Sequence, residues 1–332
     1  MLDERKTAIL RAIVQEYIST AQPVGSTHIA SAPGVQVSSA TVRNEMAVLE
    51  QEGYLVQPHT SAGRVPTDKG YRFFVDHMAE PGRLDLAATQ RVGEFFDAAH
   101  GRLEEMLHRT SNLLSQLTHQ AALVVGPPAD KAVVRSVQLV GLSNRVAVVV
   151  AVFSNGVVEN ETVELDADTT ELRLSAAASH LQHVLQGKVL DRAELTTSGD
   201  PDTDVVCRAA LDALVAAGSE EPVYLGGAAV MAQSFEAVET VRTVLETLEQ
   251  QYVMVSLVRD VLNRGLSVAI GSEHGVEPLA ACSVVLSPVV VDGERLGTVG
   301  VLGPTRMDYP QALATVEVVS ERLGRHLDEG AG

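Results

Sequence analysis

Serine, threonine, arginine and asparagine crowded at the start of an amphipathic segment are residue types that grip phosphates and read base edges. Hydroxyls and amides bond backbone oxygens, a guanidinium matches guanine and a carboxamide matches adenine. Between Val37 and Pro66 the chain reads VSSATVRNEMAVLEQEGYLVQPHTSAGRVP. On a helical wheel of about 100° per residue, placing Val42, Met46 and Leu49 inward leaves Ala40, Arg43, Asn44 and Ala47 outward, with Thr41 on the flank. Ser38 and Ser39 can cap this helix and also donate to a phosphate, and the helix N-terminus itself favours an anion. After Gly53 comes a predicted small β-hairpin: Tyr54 to Val56, a turn from Pro58 to Gly63, then Arg64 and Val65. His59, Thr60, Ser61 and Arg64 would then line a wing along the DNA backbone or minor groove. Spacing alone also permits a plainer reading, a small α/β cap whose serines are only N-caps and whose Arg43 is only solvated.

A recognition helix needs a scaffold that buries its other face. Ile9, Leu10, Ile13, Val14, Tyr17 and Ile18 have the spacing of one helical face, interrupted by Pro23 and Gly25. A short helix opens at Ser26 and ends before Pro33 and Gly34, and Thr67 can cap a further helix holding Tyr71, Phe74, Val75 and Met78. Glu80, Pro81 and Gly82 form a natural linker, which delimits a first domain over residues 1–80.

The 332 residues carry a formal net charge of −18, which argues against a protein that coats nucleic acid or lies on an anionic membrane. Any DNA contact must be local: the first 80 residues hold seven lysines and arginines against nine acidic residues, so most of the negative charge lies further along. Cys207 and Cys282 are far apart and form no CxxC, as expected of reduced thiols in a cytoplasmic protein. There is no signal-peptide pattern, and the run from Val146 to Phe153 is far too short to span a bilayer.

From Leu86 to about Ala122 only the isolated Gly93 and Gly101 weaken a helical pattern, which predicts one helix roughly 50 Å long. Val92, Phe96, Ala99, Leu103, Met106, Thr110, Leu113 and Leu117 alternate four and three apart, a heptad spacing that serves either a dimer seam or the domain's own core. Val133 to Leu142, Arg145 to Phe153 and Val157 to Leu165 then read as an antiparallel meander turning at Ser143-Asn144 and Asn155-Gly156. Helices are predicted at Leu172–Leu185 and Val205–Ala217, a strand at Pro222–Leu225, and an amphipathic helix carrying Phe235, Val238, Val241, Leu245, Leu248 and Tyr252. A further helix runs to Leu262. Strands return at Leu266–Ile270, Ser283–Val291 and Leu296–Leu302, with Pro288 marking an edge or bulge, before a last helix from about Pro310 to Leu327. Strands early and late, with mostly helices between, predict one α/β sensor-like domain carrying an insertion.

Other constellations carry little chemistry. His180 and His183 form an HxxH pair with no further ligand nearby to complete a metal site. Gly226-Gly227 lacks the GK[ST] or GxGxxG of a phosphate loop and reads as a strand-to-helix turn. No GxSxG elbow places a base beside a nucleophile, so an enzyme is not expected. The stretch from Gly303 to Pro310 either closes a ligand pocket or forms a locally bonded turn before the last helix.

Three blocks, VSSATVRNEMAVLEQEGYLVQPHTSAGRVPTDKGYRFFVD, AIGSEHG and SVVLSPVVVDGERLGTVGVLGPTRMDYPQAL, resemble the bacterial heat-inducible transcription repressor HrcA family. The resemblance runs from near the N-terminus through the last helix and is weakest from about Glu161 to Ala237. It implies an α+β chain in three parts: a winged helix-turn-helix over 1–80, a discontinuous GAF-like α/β domain with an antiparallel sheet over 81–160 and 238–332, and an inserted α/β dimerisation domain over 161–237. It also implies a cytoplasmic homodimer, without cofactor or metal, that binds double-stranded DNA at the CIRCE inverted repeat upstream of chaperone operons and is kept active by the GroE chaperonin. A small-molecule effector acting on the GAF-like domain is the alternative mode of control.

Overall fold

A computed structural model describes residues 2–59, 62–77, 82, 84–98, 103–127, 132–154, 157–218, 221–235, 237–265, 267–291 and 293–331. Asp3 caps α1 (Glu4–Thr20) by accepting the Lys6 N–H at 2.8 Å, and the helix buries the predicted stripe of Ile9, Leu10, Ile13 and Val14. It ends at Ala21 in the left-handed region, two residues before Pro23. Next come α2 (Ser26–Ala30), α3 (Ser39–Gln51), the paired strands β1 (Leu55–Val56) and β2 (Val65–Pro66), and α4 (Asp68–His77).

The continuous helix predicted from Leu86 to Ala122 is not one element. It is α5 (Leu86–Asp97), α6 (Leu103–Thr118) and then a strand, β3 (Ala121–Val125), entered through His119 at φ 56°. Ala99 lies outside the described residues. Val92, Phe96, Leu103, Thr110 and Leu117 of the heptad-spaced stripe are buried, and α5 and α6 both pack on the last helix, α12 (Tyr309–Ala331). The stripe is therefore spent on this chain's own core.

β3 belongs to a five-stranded antiparallel sheet of order β7-β3-β10-β9-β8, with β7 (Val223–Gly226), β8 (Val268–Ile270), β9 (Cys282–Val291) and β10 (Glu294–Pro304). Side chains alternate across it. Ala122 and Val124 join the core that includes α12, while Ala121, Leu123 and Val125 join the core beneath α9 (Ala228–Ala232), α10 (Val238–Leu248) and α11 (Gln251–Asn263). The helix predicted around Phe235 to Tyr252 is thus two helices, broken at Glu249-Gln250, and Phe235 precedes both. β8 pairs only with Ser283 to Val285 of β9, so Pro288 lies on an edge where no ladder N–H is required.

The meander forms a separate three-stranded sheet, β4 (Val134–Ser143), β5 (Val146–Phe153) and β6 (Val158–Glu164), covered by α7 (Glu171–Leu185) and α8 (Pro201–Gly218). This grouping departs from the expected division at 160/161 and 237/238. β4 to β6 pack with α7 and α8, which were expected inside the insertion, whereas β7, expected there too, pairs with β3. Strand character is a local signal, but the choice of partner depends on β3, which looked helical in sequence. Among the described residues no helix is long and apolar enough to cross a membrane.

Candidate nucleic-acid interface

The start of α3 is shaped by one serine. Ser38 is the N-cap, in extended backbone, and its hydroxyl accepts the Thr41 N–H at 3.2 Å and lies 2.9 Å from Thr41 Oγ1. Such a cap contributes about 1 kcal/mol and occupies the Ser38 oxygen within the helix. Ser39, the first helical residue, remains exposed, and Thr41 is half-buried.

One face of α3 is fixed by packing: Val42, Met46 and Leu49 are buried and the helix lies on α1 and α2. The other carries Ala40, Arg43 and Asn44, all exposed, while Ala47 is half-buried. Small residues beside Arg43 and Asn44 let a base edge approach the helix closely.

The basic residues of the first 80 positions divide into two groups. Arg5 lies 3.5 Å from Glu45, and Lys6 lies 2.6 Å from Asp3 and 3.7 Å from Glu45. Lys69 donates to the Glu52 carbonyl at 2.7 Å, where a cation suits the C-terminal end of α3, and sits 4.4 Å from the Tyr54 ring centroid. Arg64 pairs with Glu50, and Arg72 with Glu273 and Asp76. Among the described residues Arg11 and Arg43 have no carboxylate partner, and of these Arg43 stands on the open face of α3.

The hairpin after α3 is anchored rather than free. Val24 and Arg64 exchange both backbone hydrogen bonds at 2.9 Å, which adds a one-residue third strand to β1 and β2. Gly63 permits this approach, because a Cβ there would collide with the Val24 carbonyl. The Arg64 Nε donates to Glu50 Oε2 at 2.8 Å, and Gln57 Nε2 spans the turn to the Ala62 carbonyl at 2.9 Å. His59 is exposed at the tip, and Thr60 and Ser61 lie outside the described residues. The structure thus leaves Ser39, Arg43 and Asn44 exposed on α3 and His59 exposed on the hairpin that follows, and turns Ser38 and Arg64 to internal bonds. Glu50 and Lys69 were not singled out in the sequence, since each acts across 14 or 17 residues of chain.

The remaining constellations are locally bonded. His180 Nε2 lies 2.8 Å from the Thr196 carbonyl. Gly226-Gly227 makes the turn from β7 into α9, against Ser111 and Ser115 of α6. In the 303–310 stretch the Met307 N–H donates to the Pro304 carbonyl at 3.0 Å, Asp308 accepts the Gln311 N–H at 3.1 Å, and Arg306 donates to the Ser234 carbonyl at 2.8 Å. These bonds make it the turn that starts α12.

A family model described as the HrcA protein C terminal domain matches residues 104–313. A heat-inducible transcription repressor HrcA of Acidothermus cellulolyticus is 40% identical over 99% of this chain and 100% of its own length. One from Nocardioides sp. is 39% identical over 99% and 100%, and one from Shouchella clausii 34% identical over 98% of each. A crystal structure of a protein described only as hypothetical superposes with a TM-score of 0.68 at 25% identity, covering 99% of this chain and 100% of that one. The domain match and these full-length similarities establish that the chain belongs to the HrcA family of heat-inducible transcription repressors.

Proposed function

We propose that the chain represses heat-shock chaperone operons by binding double-stranded DNA as a homodimer, at an inverted repeat of the CIRCE type. In this reading α1 to α4 with β1 and β2 form a winged helix-turn-helix whose α3 enters the major groove. The observation that carries it is the face of α3 on which Arg43 and Asn44 stand exposed, while Val42, Met46 and Leu49 hold the opposite face in the core. Ser39, His59, Thr60, Ser61 and Arg64 then serve the phosphate backbone, directly or by holding the hairpin.

Pairing reconciles this face with a charge of −18. Two modest local footprints joined in one molecule bind a two-fold repeat far more tightly than either alone. The three-stranded sheet supplies a surface for pairing. Val148, Val150 and Val152 occupy the face of β5 turned away from α7 and α8, with Val140 opposite Val148 and Val158 opposite Val152. A face left to water alternates with polar residues, and this one does not along its central strand. The five-stranded sheet with its helices is the GAF-like part. Control by heat and by the GroE chaperonin, in a cytoplasmic protein, completes the family reading.

Selection from random duplex DNA tests the proposal. Enrichment of an inverted repeat with two equivalent half-sites is expected, and a pool without shared sequence would argue for a module that does not read DNA.

A further inference from the structure

The block AIGSEHG lies about 200 residues beyond α4 in the chain, yet it is where α4 is fastened. Gly271 to His274 form a 3-10 turn at the end of β8, and α4 packs on β8. The Arg72 guanidinium on α4 grips the Glu273 carboxylate with two nitrogens, Nε to Oε1 at 3.0 Å and Nη2 to Oε2. Nη2 also donates to the Val268 carbonyl at 2.8 Å, and Nη1 to Asp76 at 3.1 Å. Glu273 is held in turn by the Ile270 N–H at 2.9 Å, and its carbonyl accepts Arg264 Nη1 at 2.6 Å. Beside this fork the Asp68 carboxylate faces Gly271, which is at φ +54° and leaves no room for a Cβ. The Tyr71 and Tyr309 rings meet at 5.9 Å on the inner side of α4.

A planar two-point ion pair defines an angle as well as a distance, unlike a single point contact. Both side chains are partly shielded from water, which strengthens the pair over a surface one. The two elements it joins are about 200 residues apart in the chain, so no local requirement of either element explains it.

We propose that Arg72 and Glu273 are positioning residues for operator binding. They fix α1 to α4 against the five-stranded sheet, so that the orientation and separation of the two recognition helices in the dimer are set by that sheet. The inference deepens the paired-repressor reading and rests on it.

The test uses the full chain with spin labels at Gln51→Cys and Thr243→Cys, both exposed positions, mixed with an excess of unlabelled protein so that a labelled dimer carries both spins on one protomer, while Cys207 and Cys282 are buried and spared. A single narrow distance is expected in the parent. Arg72→Gln and Glu273→Gln should each broaden it, the double variant no further than either single one, and Arg72→Lys, which keeps the charge but not the fork, should fall between. On DNA, affinity for an isolated half-site should stay within about twofold. The preference for the natural repeat over one lengthened by about half a helical turn should fall about tenfold in the Gln variants. Unchanged distances in folded variants would overturn the joint. A parent protein that binds no repeat, while its distances still broaden on substitution, would instead overturn the repressor reading and leave the joint standing.

Discussion

Arg64 and Glu50 meet at 2.8 Å, so the hairpin is tied to the C-terminal half of the helix it accompanies. The two residues hold α3 and the hairpin at one angle, and the paired Val24 and Arg64 backbones secure the other side of the hairpin. Arg64 therefore acts through position. Glu50→Gln and Arg64→Gln should each weaken operator binding several-fold, with a coupling of about 1 kcal/mol in a double-mutant cycle. If Arg64 instead served DNA as a free cation, Glu50→Gln would raise affinity by removing a competing carboxylate.

Among the described residues Arg43 has no carboxylate partner to lose. Arg43→Ala should cost about 1–3 kcal/mol of specific binding and relax base preference at one position of each half-site, without lowering the melting temperature. Asn44→Ala should behave likewise at a neighbouring position. Quantitative binding to duplexes substituted one base pair at a time, with parallel thermal melts, checks both.

The Tyr71 and Tyr309 hydroxyls are both buried but differ in satisfaction. Tyr309 Oη bonds Ser283 Oγ at 2.8 Å and donates to the Thr305 carbonyl at 2.5 Å, whereas Tyr71 Oη has no partner among the described residues. Tyr309→Phe should cost about 1–2 kcal/mol, and Tyr71→Phe should be neutral or stabilising by up to about 1 kcal/mol. Denaturant unfolding of the two variants side by side tests the contrast.

Acid should act first at His274. Burial pushes this imidazole below its ordinary 6.5, and its neutral ring can donate to the Leu279 carbonyl at 3.0 Å and accept the Val276 N–H at 3.2 Å. The unfolded chain takes up a proton near 6.5 that the folded chain refuses, so this group leaves stability level above 6.5 and lowers it as pH falls from there towards the folded value. At Glu273 burial raises the carboxyl, but the hydrogen bonds from Arg72 and the Ile270 N–H outweigh it and hold it below its usual range. Its contribution is present above the ordinary carboxylate value and is lost only in stronger acid. Thermal melts between about pH 8 and about pH 5.5 should show a slope in the parent that His274→Gln flattens.

The exposed half of α3 was legible because amphipathic period and caps are local signals: Val42, Met46 and Leu49 had to go inward, which left Arg43 and Asn44 outside. What local pattern cannot carry is partnership across the chain. Ala121 and Ala122 continue a helical pattern until His119 turns the backbone, and only pairing with Thr298 to Leu302 and with Val223 to Gly226 makes them a strand. Missing β3 also hid the partner of β7, whose place is in the five-stranded sheet. The same limit hid Glu50 behind Arg64 and Glu273 behind Arg72, since in each case a cation looked free until the fold brought its carboxylate near.

The most direct test of the account is salt-dependent binding of the purified full-length protein to a duplex carrying the CIRCE inverted repeat and to one with a half-site scrambled, each with and without GroE chaperonin. Tight binding is expected that needs both half-sites, weakens steeply with salt and improves with chaperonin. Equal, weak binding to the two duplexes under all conditions would contradict it.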